Sequence, residues 1–144
     1  MTNLYVAIGI VALALGAMFQ AGNQPVDDRY ELMRARALGM SVYWEHCATC
    51  HGLTGRGDGS RIAELKTPPG DLTKLSERNG WTFPTEKVAR VIDGADRTHR
   101  DGEMPLWGKV FQSDPALKDD AAVKDRIRAL TLYLEFFQLR QYRR

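Results

Sequence analysis

The sequence predicts an all-α fold, and two observations carry this prediction. Two long stretches repeat apolar residues at helical spacing, whereas no segment alternates apolar and polar residues as a half-buried strand would. Between them, residues 52–80 are rich in glycine, proline and polar residues, a composition typical of loops. We therefore expect helices at both ends of one domain and a long loop region in its middle.

The first helix of this domain is predicted to start near Asp28 and to run to Cys47. Asp28 and Glu31 have the spacing of a capping box, in which two side chains satisfy the free N–H groups of a helix N-terminus. Behind them, the residues of one helix face recur at helical spacing: Leu32, Ala35, Gly39, Val42, Tyr43 and His46.

Two further helices are predicted after the loop region. The first covers residues 84–92 and is closed by Gly94, because glycine is the usual residue just beyond a helix C-terminus. The second covers residues 119–139 and carries a continuous apolar stripe with two flanking residues: Val123, Ile127, Leu130, Leu134 and Phe137, beside Ala129 and Tyr133.

Length and charge limit the classes of function. A chain of 144 residues with a net charge of +2 fits one domain with a modest core, and its charge does not favour nucleic acid as a partner. Residues 55–59, "GRGDG", resemble part of a phosphate-binding loop. Such a loop follows a strand and opens a helix, whereas this segment follows a helix and precedes a proline-rich loop. We expect its glycines to let the backbone turn tightly against a flat group.

The first 26 residues contain no charged side chain, and residues 4–21 form an uncharged, largely apolar stretch. Eighteen helical residues span about 27 Å, near the lower limit for crossing the hydrocarbon core of a bilayer. A cleaved signal peptide is the rival interpretation. The N-terminus lacks basic residues, and cleavage after Ala21 would place bulky Phe19 at a small-residue site, so a retained anchor is favoured. We assign residues 1–25 to the anchor and the start of a connector, and residues 26–144 to the domain.

The orientation of this anchor does not follow from its flanking charges. The nearest basic residues, which usually mark the cytoplasmic side, come after the anchor, and acidic residues lie among them. These residues are Arg29, Arg34 and Arg36, with Asp27 and Asp28.

Both cysteines of the chain lie in residues 44–52, "WEHCATCHG". A thiol–disulfide oxidoreductase normally opens a helix with C-x-x-C inside a sheet-containing fold, whereas this motif ends a predicted helix. A zinc site takes four ligands, and the chain has only three histidines to offer: His46, His51 and His99. C-x-x-C-H is the attachment signature of c-type haem, in which Cys47 and Cys50 bond to the two vinyl groups and His51 lies under the iron.

Met104, in residues 101–108, "DGEMPLWG", is the candidate for the second axial ligand. A thioether is a soft ligand for iron, Pro105 restricts the local backbone, and Gly102 and Gly108 would let the chain pass close to the ring. The alternative is an ordinary loop methionine that packs on apolar neighbours. His99 is the rival iron ligand, five residues earlier.

With these motifs the chain resembles the class I c-type cytochromes over most of residues 30–139. The resemblance rests on "CATCH", on "GEMPLWG" and on a helix-pair signature. In that family a glycine and an aromatic residue precede the first cysteine at intervals of four, as Gly39, Tyr43 and Cys47 do here. The last helix crosses the first at the glycine, with an apolar and an aromatic residue three apart, like Leu130 and Tyr133.

The resemblance implies the class I cytochrome c fold, with helices packed around one covalent haem c and its iron, here preceded by a single N-terminal transmembrane helix. It implies Cys47 and Cys50 as covalent anchors and His51 and Met104 as iron ligands. A proline carbonyl commonly accepts the hydrogen bond of the axial histidine, and Pro68 and Pro69 are both candidates. Trp81 and Arg78 are hypothetical partners of the haem propionates, and His46 is expected to pack nearby without binding metal.

The function this implies is electron transfer, not enzymatic catalysis. We expect a single-pass protein of a bacterial inner membrane, with its haem domain in the periplasm. About seven connector residues separate the anchor from the first helix and reach roughly 25 Å when extended. This short tether favours a subunit or close associate of a membrane respiratory or photosynthetic redox complex, as donor or acceptor, over an independent shuttle. A haem-based ligand-binding or catalytic protein with an open sixth iron position is the other alternative.

Overall fold

The structure is a computed structural model, which describes residues 27–96, 103–117 and 119–141. These residues form five α-helices: α1 Asp28–His46, α2 Ala48–His51, α3 Thr85–Asp93, α4 Trp107–Gln112 and α5 Asp120–Gln141. Three short 3₁₀ helices lie between α2 and α3: Ile62–Glu64, Leu72–Lys74 and Glu77–Asn79. No β-strand occurs among the described residues, which confirms the all-α prediction for that part of the chain.

The chain divides into two compact units, Met1–Glu31 and Leu32–Arg144. Of the first unit, the structure describes residues 27–31, where the side chain of Asp27 accepts a hydrogen bond from the Arg29 N–H at 3.0 Å. The helix is thus capped one residue earlier than the predicted capping box. The predicted anchor, residues 4–21, and the predicted boundary after residue 25 lie outside the described residues. Among the residues described, no helix is both long and apolar enough to cross a membrane.

Helices α1 and α5 cross at Gly39. A Cβ atom at this position would collide with the carbonyl oxygen of Ala129 and would stand 2.9 Å from Cβ of Tyr133, so glycine allows this close approach. The predicted stripe of α5 and its two flanking residues are all buried. The predicted crossing of the first and last helices at this glycine is therefore confirmed.

Helix α3 starts and ends one residue later than predicted, and Gly94 closes it as predicted. Gly94 has a φ of 92°, in the left-handed region, and its N–H donates to the carbonyl of Arg90 at 3.1 Å. Helix α4 was not predicted, because six residues give less than two turns and therefore no readable periodicity. A Cβ atom at Gly108 would meet Asp93. Gly108 thus allows α4 to lie close to the end of α3.

The loop region between α2 and α3 is held on α5 by a buried glutamine. The side-chain oxygen of Gln138 accepts the Ser76 N–H at 3.0 Å, and its amide donates to the carbonyl of Leu72 at 2.8 Å. Because an unpaired buried amide would cost about 1–3 kcal/mol, this residue specifies where the loop packs. Gln138 was not predicted to have this role, although it continues the α5 stripe four residues beyond Leu134.

Tyr43 joins the helix crossing to the start of the loop region. Its hydroxyl donates to the carbonyl of Gly52 at 2.6 Å, and its ring lies 5.5 Å from that of Tyr133 and 5.2 Å from that of Phe137. Burial, followed by the neighbouring Cys47, raises the pKa of Tyr43 above its ordinary value, so the hydroxyl stays protonated and remains a donor.

Candidate functional site

The turn between α1 and α2 positions Cys47, Cys50 and His51. Helix α1 ends at His46, one residue before the predicted end, and Cys47 lies in the turn. The N–H of Cys47 donates to Tyr43 and the N–H of His51 donates to Cys47, both at 2.8 Å. The short helix α2 therefore presents the second thiol and the imidazole one turn after the first thiol.

Two adjoining cavities of about 280 and 400 Å³ lie beside this turn. The smaller cavity extends from Cys50 towards Pro68 and Pro69, and the larger extends between α3 and α5. Five residues line both cavities: Cys47, His51, Gly70, Met104 and Trp107. Because of these shared walls we treat the two cavities as one space, the crevice.

Met104 reaches the crevice from a distant part of the chain. It lies 53 residues after His51, in the segment that leads into α4, and is partly buried against the core. The structure thus places all four predicted site residues on the walls of one crevice: Cys47, Cys50, His51 and Met104. The rival ligand His99 lies outside the described residues.

The deeper walls of the crevice are apolar. They come from α3, α5 and the loop region: Val88, Val91, Ile92, Leu130, Leu134, Leu72 and Leu75. Polar side chains line the larger cavity as well, namely Arg78, Asn79 and Lys87. Trp81 lines neither cavity and is 66% exposed, so the structure does not place it where a crevice-bound group would meet it.

The glycine-rich segment packs against the C-x-x-C-H turn. Its N–H groups donate to the carbonyls of that turn, from Gly57 to His51 at 2.8 Å and from Gly59 to Cys50 at 3.2 Å. A Cβ atom at Gly57 would meet the carbonyl of Pro69, and one at Gly59 would meet the carbonyl of Thr49. These two glycines therefore allow close approach to backbone, whereas a Cβ atom at Gly55 would meet the flat ring of Phe137.

Glu103 connects two segments that border the crevice. Its carboxylate accepts the N–H of Lys66 at 2.5 Å and the N–H of Thr67 at 3.2 Å. Glu103 directly precedes Met104, and Thr67 directly precedes Pro68, so this bridge fixes the methionine segment beside the proline segment. Glu103 was not predicted to have this role. The only sequence feature that pointed to it was its position next to the candidate ligand Met104.

The environment of Cys47 is unlike that of a redox-active thiol. Burial, and then the adjacent Cys50, raise the pKa of Cys47 to about 12. The attacking thiol of a disulfide oxidoreductase has a lowered pKa, because the thiolate is the nucleophile. Within the described residues, both cysteines lack a disulfide bond, and no group of three or more His, Cys, Asp or Glu side chains is arranged to hold a metal ion. The raised pKa of the buried Cys47 disfavours the thiol–disulfide interpretation.

The family model for cytochrome c matches residues 37–134, about two thirds of the 144-residue chain. The chain belongs to the cytochrome c family. Members of this family bind haem c covalently with its iron and are generally electron-transfer proteins, so the cofactor of this cytochrome c is haem c. A comparison with curated proteins and one with solved structures each found no match.

The residues of this cytochrome c fit a haem in the crevice. Two thiols line it, an imidazole and a thioether offer donor atoms that iron accepts, and apolar side chains form much of the remaining wall. His46 packs its ring against Trp107 and Phe111, with ring centres 5.1 and 5.6 Å apart. It also lines the smaller cavity, in agreement with the prediction that it lies near the attachment turn.

Proposed function

We propose that this cytochrome c carries single electrons on the periplasmic face of a bacterial inner membrane, held there by residues 4–21. One observation supports the proposal that the protein is an electron carrier. The C-x-x-C-H turn and Met104, 53 residues apart, line the same crevice. His51 and Met104 would hold the iron of a bound haem with an imidazole and a thioether, a pair of donor groups that suits electron transfer.

The residues that line the crevice have assigned roles in this proposal. Cys47 and Cys50 form the thioether bonds, and His51 and Met104 bind the iron as in the class I cytochromes. Pro68 and Pro69 both line the crevice with His51, and a carbonyl from one of them orients the imidazole. Arg78 and Lys87 line the larger cavity and provide positive charge for the propionates.

The bound haem supplies one-electron chemistry between ferrous and ferric iron. The protein excludes water from this chemistry with Val88 and Ile92 of α3 and with Leu130 and Leu134 of α5, which wall the crevice. Fixed axial ligands keep the structural change on electron transfer small, because neither ligand leaves.

A haem-based ligand-binding or catalytic protein is the competing function. Such a protein keeps the sixth iron position open, whereas Met104 lines the crevice together with His51. This juxtaposition favours the electron carrier.

The proposal also includes attachment to the membrane and association with a redox complex. Residues 4–21 carry no charge, and the connector that follows reaches roughly 25 Å at most. A haem domain on this tether stays beside its partner at a high effective concentration. A subunit or close associate of a membrane redox complex is therefore favoured over an independent shuttle. Purification in mild detergent followed by size-exclusion chromatography distinguishes the subunit from the shuttle. A subunit should elute with its complex, whereas a lone chain that rapidly reduces several unrelated acceptors is a shuttle.

The iron ligands are tested by Met104→Ala, with Met33→Ala as the matched control. Met33 is 69% exposed on α1 and lines neither cavity. We expect Met104→Ala to keep covalent haem, to lower the reduction potential and to bind carbon monoxide and cyanide readily, because the sixth position opens. Met33→Ala should keep the parent spectrum and potential.

Either of two results would overturn the assignment. If Met104→Ala keeps the parent spectrum and potential, Met104 is not a ligand and His99 is the next candidate. If haem is not retained by the denatured parent chain on gels, the roles of Cys47 and Cys50 are wrong.

A further inference from the structure

An apolar stripe runs along the exposed side of α1. It consists of Met33, Ala37, Met40 and Trp44, whose spacing of four, three and four residues places them on one face of a helix. Met33 is 69%, Met40 38% and Trp44 55% exposed, and Ala37 is exposed as well. We call this row the α1 stripe.

The α1 stripe does not belong to the core. The core uses another face of the same helix, where Gly39, Val42 and Tyr43 are buried. Beyond the end of α1 the exposed Leu53 lies with Trp44 along a shallow surface depression and extends the apolar surface. An exposed helix face of a globular domain is normally polar, so a contiguous apolar row indicates an interaction surface.

We propose that the α1 stripe lies on the lipid bilayer, at the boundary between headgroups and acyl chains. This inference rests on the anchor in the proposed function. The uncharged segment of residues 4–21 ends about seven residues before α1, so a chain anchored by it holds the start of α1 within roughly 25 Å of the bilayer. The apolar stripe thus occurs on the described helix that is nearest in sequence to the anchor.

The chemistry of the stripe also fits a bilayer surface. Tryptophan is enriched at membrane interfaces, and unbranched methionine side chains adapt to a disordered environment. Exposed polar residues flank the stripe on one side and would stay at headgroup level: Arg34, Ser41 and Glu45. From Met33 to Trp44 the stripe covers about 16 Å of helix, so contact along it would lay α1 parallel to the membrane.

This contact would fix the orientation of the haem. Trp44 precedes Cys47 by three residues, so the attachment turn would be held close to the bilayer. A carrier oriented in this way would present the same side of its crevice to every membrane-embedded partner.

Spin labels test the proposal in the full-length, haem-loaded protein in phospholipid vesicles. Alanine is replaced by cysteine at one position per variant and labelled after haem attachment, when Cys47 and Cys50 no longer react. Ala37→Cys tests the α1 stripe, Ala14→Cys reports on the anchor, and Ala121→Cys is the matched exposed position on α5. The readout is the collision rate with oxygen, which concentrates in lipid, relative to that with a water-soluble nickel chelate.

We expect an oxygen-to-nickel ratio at position 37 several-fold higher than at position 121. The ratio at position 37 should fall when Met40→Ser and Trp44→Ser are added, with the haem spectrum unchanged. A ratio at position 37 equal to that at position 121, with position 14 in lipid, would overturn this inference and leave the anchor intact. A label at position 37 shielded from both reagents would overturn it too, because protein would then cover the stripe. A water-exposed label at position 14 would show that the anchoring proposal itself has failed.

Discussion

The α1–α5 crossing and the loop wall of the crevice are built from different interactions. We define the loop wall as residues 52–80 together with residues 103–107. The crossing consists of packed side chains, in which the rings of Tyr43, Tyr133 and Phe137 contact one another around Gly39. The loop wall packs only partly buried apolar side chains against the core, and polar contacts hold its segments in place, chiefly those of Gln138 and Glu103 with backbone groups.

From this difference we infer which region needs the haem in order to fold. Apolar side chains at the crossing cover one another, so their burial does not need the cofactor. Apolar side chains of the loop wall, such as Leu72 and Leu75, line the crevice and need the haem to cover them. The two regions should therefore respond differently to loss of haem and to substitution.

The largest effect is expected from Cys47→Ala with Cys50→Ala, which prevents covalent attachment. We expect a largely disordered domain that is degraded in cells, because the long loop region is poor in apolar residues and forms no core alone. The helices of the crossing should keep more residual structure than the loop wall. Amide hydrogen exchange and circular dichroism of the purified chain measure both.

Met104→Ala is the matched control for this experiment, because it keeps the covalent haem and should keep the folded domain. A double cysteine variant with well-dispersed amide signals and cooperative unfolding would contradict the prediction. It would show that the loop wall folds without its cofactor.

The crossing was accessible to sequence analysis, and the polar contacts of the loop wall were not. Periodicity predicted the helices α1 and α5, and the resemblance to the class I cytochromes predicted that they cross at Gly39. Glu103 and Gln138 bond to backbone groups, and every residue offers a carbonyl while every residue except proline offers an N–H. No sequence pattern therefore indicates which backbone groups these two side chains contact.

Helix α4 and the role of the glycines escaped prediction for related reasons. Six residues of helix show no period, and the segment before them looks like loop. The glycine-rich segment correctly predicted a tight turn, but its contact with Pro69 depends on how two distant loops meet. Short helices and contacts between backbone segments depend on tertiary structure, so local sequence patterns do not predict them.

Gly39→Ala tests the crossing directly and should have an intermediate effect. The added Cβ would collide with the backbone carbonyl of Ala129, which is unable to rotate away, so α1 and α5 must separate. Overpacking of this kind costs about 1–3 kcal/mol, and alanine returns about 1 kcal/mol of helix propensity. Because the clash is with backbone, we expect a net loss of about 2 kcal/mol in the free energy of unfolding.

Guanidinium denaturation followed by circular dichroism and haem absorbance measures this loss. Ser41→Ala, at an exposed position on the same helix, is the control and should change stability by less than about 0.5 kcal/mol. A Gly39→Ala variant as stable as the parent would mean that the helices do not cross at this residue.

Glu103→Gln tests the loop wall and should have the smallest effect. The carboxylate accepts N–H groups from Lys66 and Thr67, whereas an amide has one oxygen acceptor and turns its NH₂ group towards the other donor. Loss of one such hydrogen bond is worth about 1 kcal/mol. The methionine segment should therefore open more readily, while the crossing and the overall fold persist.

Cyanide binding to the oxidised protein reports this opening, since cyanide enters only when Met104 leaves the iron. A change of about 1 kcal/mol corresponds to about five-fold faster binding. Glu64→Gln removes the same charge from an exposed carboxylate that pairs with Arg61 and not with Lys66 or Thr67, so this variant should bind cyanide at the parent rate. Equal rates in Glu103→Gln and the parent would show that the bridge does not hold the methionine segment. Faster binding in both variants would instead point to a general effect of lost negative charge. Faster cyanide binding in Glu103→Gln alone, with a nearly unchanged free energy of unfolding, would show that the loop wall opens independently of the helix crossing.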